Sequence, residues 1–85
     1  DCESQSRQVM VNIRAIVEAA GATMRDVVKI TCYLTNVADY RAYSKVRSET
    51  FPSDPPASTT VIVAALVRPE LLVEVEAIVH LPGGG

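Results

Sequence analysis

Long apolar runs are missing from this chain of 85 residues. Charges interrupt every hydrophobic stretch, so no segment is expected to span a bilayer. Basic runs are missing too. Ten acidic residues against eight basic ones leave a net charge of −2. A free-standing nucleic-acid binder normally carries a basic stripe; here Arg41, Lys45 and Arg47 form the only basic cluster, which reads as the solvated face of a helix. Cysteine is sparse. Cys2 and Cys32 do not make a disulfide scaffold, and their spacing with the single His80 matches no metal-site pattern. Tryptophan is absent and there is one Phe, yet 48% of the residues are hydrophobic and 21% charged. That balance excludes a disordered chain. No basic stretch precedes an apolar one at the start, so no leader is expected, and a cytoplasmic protein is. The apolar load is Val, Ile, Leu and Ala, and it is large for a chain that leaves much of its surface exposed.

Residues 3 to 20 read as a helix. Val9, Ile13, Ile16, Val17 and Ala20 recur at spacings of three and four, with Arg7, Arg14 and Glu18 opposite. Gly21 follows as a C′ glycine does. Residues 27 to 35 then change to period two. Val28, Ile30, Cys32 and Leu34 point one way, and Lys29, Thr31, Tyr33 and Thr35 the other. A second helix is expected over 38 to 50, with Asn36 as N-cap and Tyr40, Tyr43 and Val46 as its inner face. Pro52, Pro55 and Pro56 end it.

Two strands follow, over 58 to 66 and 71 to 80. In the second, Leu71, Val73, Val75, Ala77 and Val79 oppose Leu72, Glu74, Glu76, Ile78 and His80. The link Val67-Arg68-Pro69-Glu70 suits an antiparallel hairpin between them. The helix between the first two strands suggests a parallel crossover. The expected architecture is α+β, in the order α-β-α-β-β, with a mixed sheet and both helices on one face. Residues 1–82 make one domain and residues 83–85 a flexible glycine tail. Two helices cover only one sheet face. The other carries Tyr33 and apolar residues of the 58–66 strand, so a second subunit is expected to cover it.

Several polar residues are candidates for chemistry. Glu74 and Glu76 share a strand face, with Cβ atoms roughly 6–7 Å apart. Ser58, Thr59 and Thr60 can offer hydroxyls and backbone N–H groups to an anion. His80 reads as a surface or edge residue, Arg68 as a solvated turn residue, and Tyr33 as an interface or cleft-lining aromatic.

The runs Gln8-Val9-Met10-Val11-Asn12-Ile13, Val17-Glu18-Ala19-Ala20-Gly21 and Val27-Val28-Lys29-Ile30-Thr31-Cys32-Tyr33-Leu34 resemble segments of one known family. Asp39-Tyr40, Phe51, Pro56-Ala57 and Val73-Glu74-Val75-Glu76-Ala77-Ile78 follow in the same order and spacing. As a set they resemble the RidA/YjgF family of enamine/imine deaminases. The resemblance implies a chorismate-mutase-like two-layer fold and a homotrimer with small-molecule clefts between subunits. It implies hydrolysis of reactive enamines and imines, such as 2-aminoacrylate, without metal or organic cofactor, and no role for nucleic acid or membrane.

Residue by residue, the resemblance makes Glu74 the acid that orients water. The family's deaminases place an Arg directly after Pro-Ala, where this chain has Ser58, and Ser cannot grip a carboxylate bidentately. A Cys two residues later in the family is Thr60 here, and an Asn of the second helix is Ser44. The candidate site is therefore Glu74 as the catalytic residue, with Ser58, Thr59, Thr60, Tyr33 and Ser44 binding substrate. The chain starts where the family's first helix starts, without the strands that precede it there. The expectation is a deaminase of altered substrate preference, or else a non-catalytic trimeric module that binds small molecules or serves as structure.

Overall fold

A computed structural model describes residues 1–81; the expected glycine tail lies outside the described residues. Helix α1 spans Cys2–Ala19. Its start is fixed by Asp1, whose carboxylate accepts the Ser4 N–H at 2.8 Å. Its end is a Schellman turn. Gly21 takes φ +86°, its N–H donates to the Glu18 carbonyl, and the Ala22 N–H donates to the Val17 carbonyl. Val17 and Ala22 are both buried, which supplies the apolar contact that accompanies this motif.

The buried side of α1 is Cys2, Ser6, Met10 and Val17, with Ile13 packed beside them. This corrects the expected face. Ile16 is 70% exposed, and Ala20 is exposed as well. Apolar residues wrap more of this helix than the sheet and second helix cover, so the apolar arc alone does not set its rotation. Ser6 occupies a core position, and its hydroxyl meets the Cys2 thiol at 3.7 Å.

Strand β1, Val27–Leu34, is the middle of a three-stranded sheet. Asn36 then accepts the Ala38 N–H and caps a 3-10 turn over Val37–Asp39. Helix α2, Tyr40–Thr50, continues from it. Strand β2, Ala57–Ile62, returns parallel to β1, so the expected crossover is present. Strand β3, Val73–Val79, lies antiparallel on the other side of β1. The expected hairpin between the last two strands is therefore incorrect. β2 stops at Ile62, and residues 63–72 carry the chain across the end of β1. There the Val63 N–H donates to the Leu34 carbonyl and the Thr35 N–H to the Leu72 carbonyl. β1, the strand with the most deeply buried side chains, thereby has its backbone bonded on both edges.

Ile30, Cys32 and Leu34 face the helices and are fully buried with Tyr43 and Val46. Val28 does not join them. A bulge between Val27 and Lys29 puts Val27 inward and leaves Val28 49% exposed. Both helices cover the Ile30–Cys32–Leu34 face. The opposite face, holding Lys29, Thr31 and Tyr33, stays open. No helix among the described residues is long and apolar enough to cross a membrane.

Candidate functional site

The pleat divides the candidate residues between the two faces of the sheet. Cross-strand pairing sets Tyr33 between Val61 of β2 and Glu74 of β3, and Thr31 between Thr59 and Glu76. These side chains share the open face. Glu74 is exposed there, and among the described residues its carboxylate has no ion-pair partner. The Tyr33 hydroxyl instead donates diagonally to Glu76 at 2.6 Å. That bond to a carboxylate raises the phenol pKa. Thr59 accepts from the Lys29 ammonium at 2.8 Å.

Ser58, Thr60 and Ser44 lie on the helix side. Thr60 pairs with Cys32. Ser58 and Ser44 are brought together by a residue that the sequence reading placed in solvent. The Arg47 guanidinium donates to Ser58 Oγ and to Ser44 Oγ, each at 3.2 Å, and reaches the Tyr40 hydroxyl at 3.5 Å. It also lies over two rings, 5.6 Å from the Tyr43 centroid and 5.9 Å from that of Tyr40. The solvated-helix reading of the basic cluster therefore fails at Arg47. It holds for Arg41, which is exposed, and for Lys45, which reaches Glu3 at 3.4 Å. The reason is helical geometry. Tyr40, Tyr43, Ser44 and Arg47 fall on one face by their spacing, and that face overhangs the first residues of β2. Two tyrosines and a serine three, four and seven residues before an arginine are the sequence signal that could have found it.

Arg47 and Ser58 border a groove of about 500 Å³, walled by Tyr40, Phe51, Pro52 and Pro56. Beneath it sits Tyr43, wholly buried, with a hydroxyl that has no hydrogen-bond partner among the described residues. That hydroxyl faces Cys32 and Ser58 without reaching bonding geometry, and burial pushes its pKa up. Burial likewise pushes the Cys32 thiol up to about 12. Tyr40 moves the other way, because the adjacent Arg47 favours its phenolate. His80 is exposed beyond the end of β3, and Arg68 pairs with Glu70 at 3.4 Å in the turn, both as expected. Among the described residues no group of three or more His, Cys, Asp or Glu side chains is arranged to hold a metal ion.

The arrangement thus offers two chemistries. An open face presents a free carboxylate beside a tyrosine. A groove on the other side presents a guanidinium among hydroxyls.

The fold belongs to a recognisable set of proteins. The family model described as Endoribonuclease L-PSP matches residues 1–81. A RutC family protein of Pyrococcus horikoshii is 41% identical over 80 residues, which are 94% of this chain and 63% of that protein. The crystal structure of RidA from an Antarctic Psychrobacter species superposes with a TM-score of 0.86 at 39% identity, covering 93% of this chain and 63% of that one. A member of the YjgF/YER057c/UK114 family from Mycobacterium tuberculosis gives a TM-score of 0.89 at 36% identity, covering 91% and 65%. The chain spans less than two thirds of the length of each of these relatives. With the fold, the order of motifs and the family model in agreement, the chain belongs to the RidA/YjgF family, the Endoribonuclease L-PSP family of that model.

Proposed function

We propose that the protein hydrolyses reactive enamine or imine intermediates to a carbonyl product and ammonia. The observation that carries this reading is Glu74, a carboxylate with no ion-pair partner among the described residues, on the open face of β3 next to Tyr33. It stands in the segment Val73-Glu74-Val75-Glu76 through which the chain resembles the deaminases. The chemistry asks little of a protein. The oxygen of a water molecule bonds to the imine carbon, and one of its protons passes by way of Glu74 to the nitrogen. The resulting carbinolamine transfers its hydroxyl proton to nitrogen, the C–N bond breaks, and ammonia leaves behind a carbonyl.

In this reading a homotrimer supplies the enclosure that one chain lacks. A second copy covers the open face, where Ile78 is 59% and Val61 38% exposed, and Glu74 lies in the seam. Tyr33 and Thr59 share that face with Glu74 and complete the proposed site there, while Ser58, Thr60 and Ser44 lie on the helix side and would contribute binding groups from the groove. Ser58 in place of the family's arginine is the one observation that favours a non-catalytic binding module.

A single assay separates the two readings. Imines generated enzymatically from several amino acids are presented to the purified protein, with semicarbazide trapping what escapes. The expected result is less trapped imine and faster release of the carbonyl product. No acceleration with any imine removes the deaminase reading. Glu74→Gln is expected to lower the rate by about 10²-fold or more, as loss of a general acid–base group does. An unchanged rate removes Glu74 from the mechanism.

A further inference from the structure

We infer that Arg47 is the anion-gripping residue of this protein and that the groove between α2 and β2 takes a small carboxylate. The first ground is an unbalanced charge. Arg7 is paired with Glu3 and Glu49, Lys45 with Glu3, and Arg68 with Glu70. Among the described residues Arg14, Arg25 and Arg41 also have no carboxylate partner but are exposed, and half-buried Lys29 bonds to Thr59 on the open face. Arg47 is half-buried and, among the described residues, has no carboxylate partner. Its neighbours are three hydroxyls and two aromatic rings. A guanidinium withdrawn from water without a counter-ion is costly, and a carboxylate in the groove removes that cost.

The second ground is geometry. Ser58, Ser44 and Tyr40 hold the guanidinium in one orientation, so little freedom remains to be lost on binding. These contacts use only part of its five-donor fork, and a carboxylate matches what is left. The groove volume, about 500 Å³, suits a small molecule. Phe51, Pro52 and Pro56 give it an apolar wall for the rest of the ligand. Arg41 and Lys45 point elsewhere, so the groove offers one positive charge. One charge with an apolar wall favours a monocarboxylate over a phosphate.

A charge that Ser58 takes away from β2 is thus returned from α2, and Ser58 becomes its support. The grip stands on geometry alone. The substrate class that follows, imines that carry a carboxylate, rests on the deaminase reading.

Pyruvate titrated into the full-length protein tests the grip without turnover, followed by NMR shifts of groove residues. Methyl pyruvate and inorganic phosphate are the control arms. Pyruvate is expected to bind and its ester to bind far more weakly. Arg47→Met is expected to weaken pyruvate by roughly 10–100-fold, the worth of hydrogen bonds to a charged group. Arg47→Lys is expected to retain part of the affinity. Ser58→Glu, which gives Arg47 an internal partner, is expected to abolish binding in a folded protein, so the test survives if Arg47→Met does not fold.

Equal binding of acid and ester overturns the inference, as does phosphate binding without pyruvate binding, or pyruvate binding unchanged in Ser58→Glu and in folded Arg47→Met. Pyruvate binding without imine hydrolysis leaves the grip and removes the deaminase. Hydrolysis with no dependence on Arg47 does the reverse. If both stand, Arg47→Met raises KM for carboxylate-bearing imines and leaves uncharged imines unaffected.

Discussion

Arg47, Tyr43 and Cys32 each owe their behaviour to what surrounds them. Tyr43 is the clearest case, because its hydroxyl is buried with no hydrogen-bond partner among the described residues. An unmade hydrogen bond in the interior is a penalty, and deleting the group while keeping the ring removes it. Tyr43→Phe is therefore expected to be neutral or to stabilise the protein by up to about 1 kcal/mol in urea unfolding. A loss of that size would show the hydroxyl bonded in solution. The sign of the alkaline response follows from burial. Cys32 in the folded chain holds its proton up to about 12, whereas an unfolded thiol releases it near about 8.5. Its contribution to stability is complete below the unfolded value and is lost as pH rises toward the folded one. Tyr43 shifts in the same direction. Unfolding free energy is expected to fall through that alkaline range, and Cys32→Ala, though less stable throughout, is expected to flatten the fall. The buried positions of Cys32 and Tyr43 were legible from alternation and helical spacing. The placement of Arg47 was not, because it depends on where β2 begins beneath α2.

At the scale of elements, sequence patterns located both α-helices and the three strands of the described residues, drew the last two strands too long, missed the 3-10 turn at Met24–Asp26, and were weaker on how the elements meet. Period two in residues 27–35 located β1, but the bulge reversed Val28, and a bulge leaves little trace in a run of β-branched residues. Helical spacing located α1, while its rotation was decided by the strip that β3 and α2 offer. The pairing of β3 was misjudged because a turn signal marks where strands end and does not name their partners. The end of α1 was fully legible, since Gly21 takes the φ that closes the Schellman turn. A Cβ at Gly21 would meet nothing within 4 Å, so Gly21→Ala tests the backbone alone. It is expected to cost about 1 kcal/mol, read as a lower urea midpoint with an unchanged slope. No loss would mean that the turn relaxes.

For the whole molecule, the open sheet face is the feature that one chain leaves unresolved. The sequence implied it, because two helices cover only one side of a sheet; the uncovered side is mixed, with Ile78, Val61 and Tyr33 among Lys29, Thr31, Glu74 and Glu76. The trimer proposed above predicts a trimer mass by light scattering at micromolar concentration. It also predicts that Ile78→Glu yields a folded monomer, since that exposed position tolerates a charge alone but not against a partner. A wild-type monomer, or a trimer unaffected by Ile78→Glu, would contradict that interface.

Strand β2 is an edge strand with little burial on either side, so apolar packing cannot tell it which residue should face which way. Two cations do so instead. Arg47 holds Ser58 from the helix side, and Lys29 holds Thr59 from the open side. A slip of one residue would present each cation with the wrong side of the strand. The strand's alignment is therefore partly a polar property, set at two hydroxyls as well as along its backbone ladder with β1. A ligand in the groove would act on the sheet edge as well as on its own site.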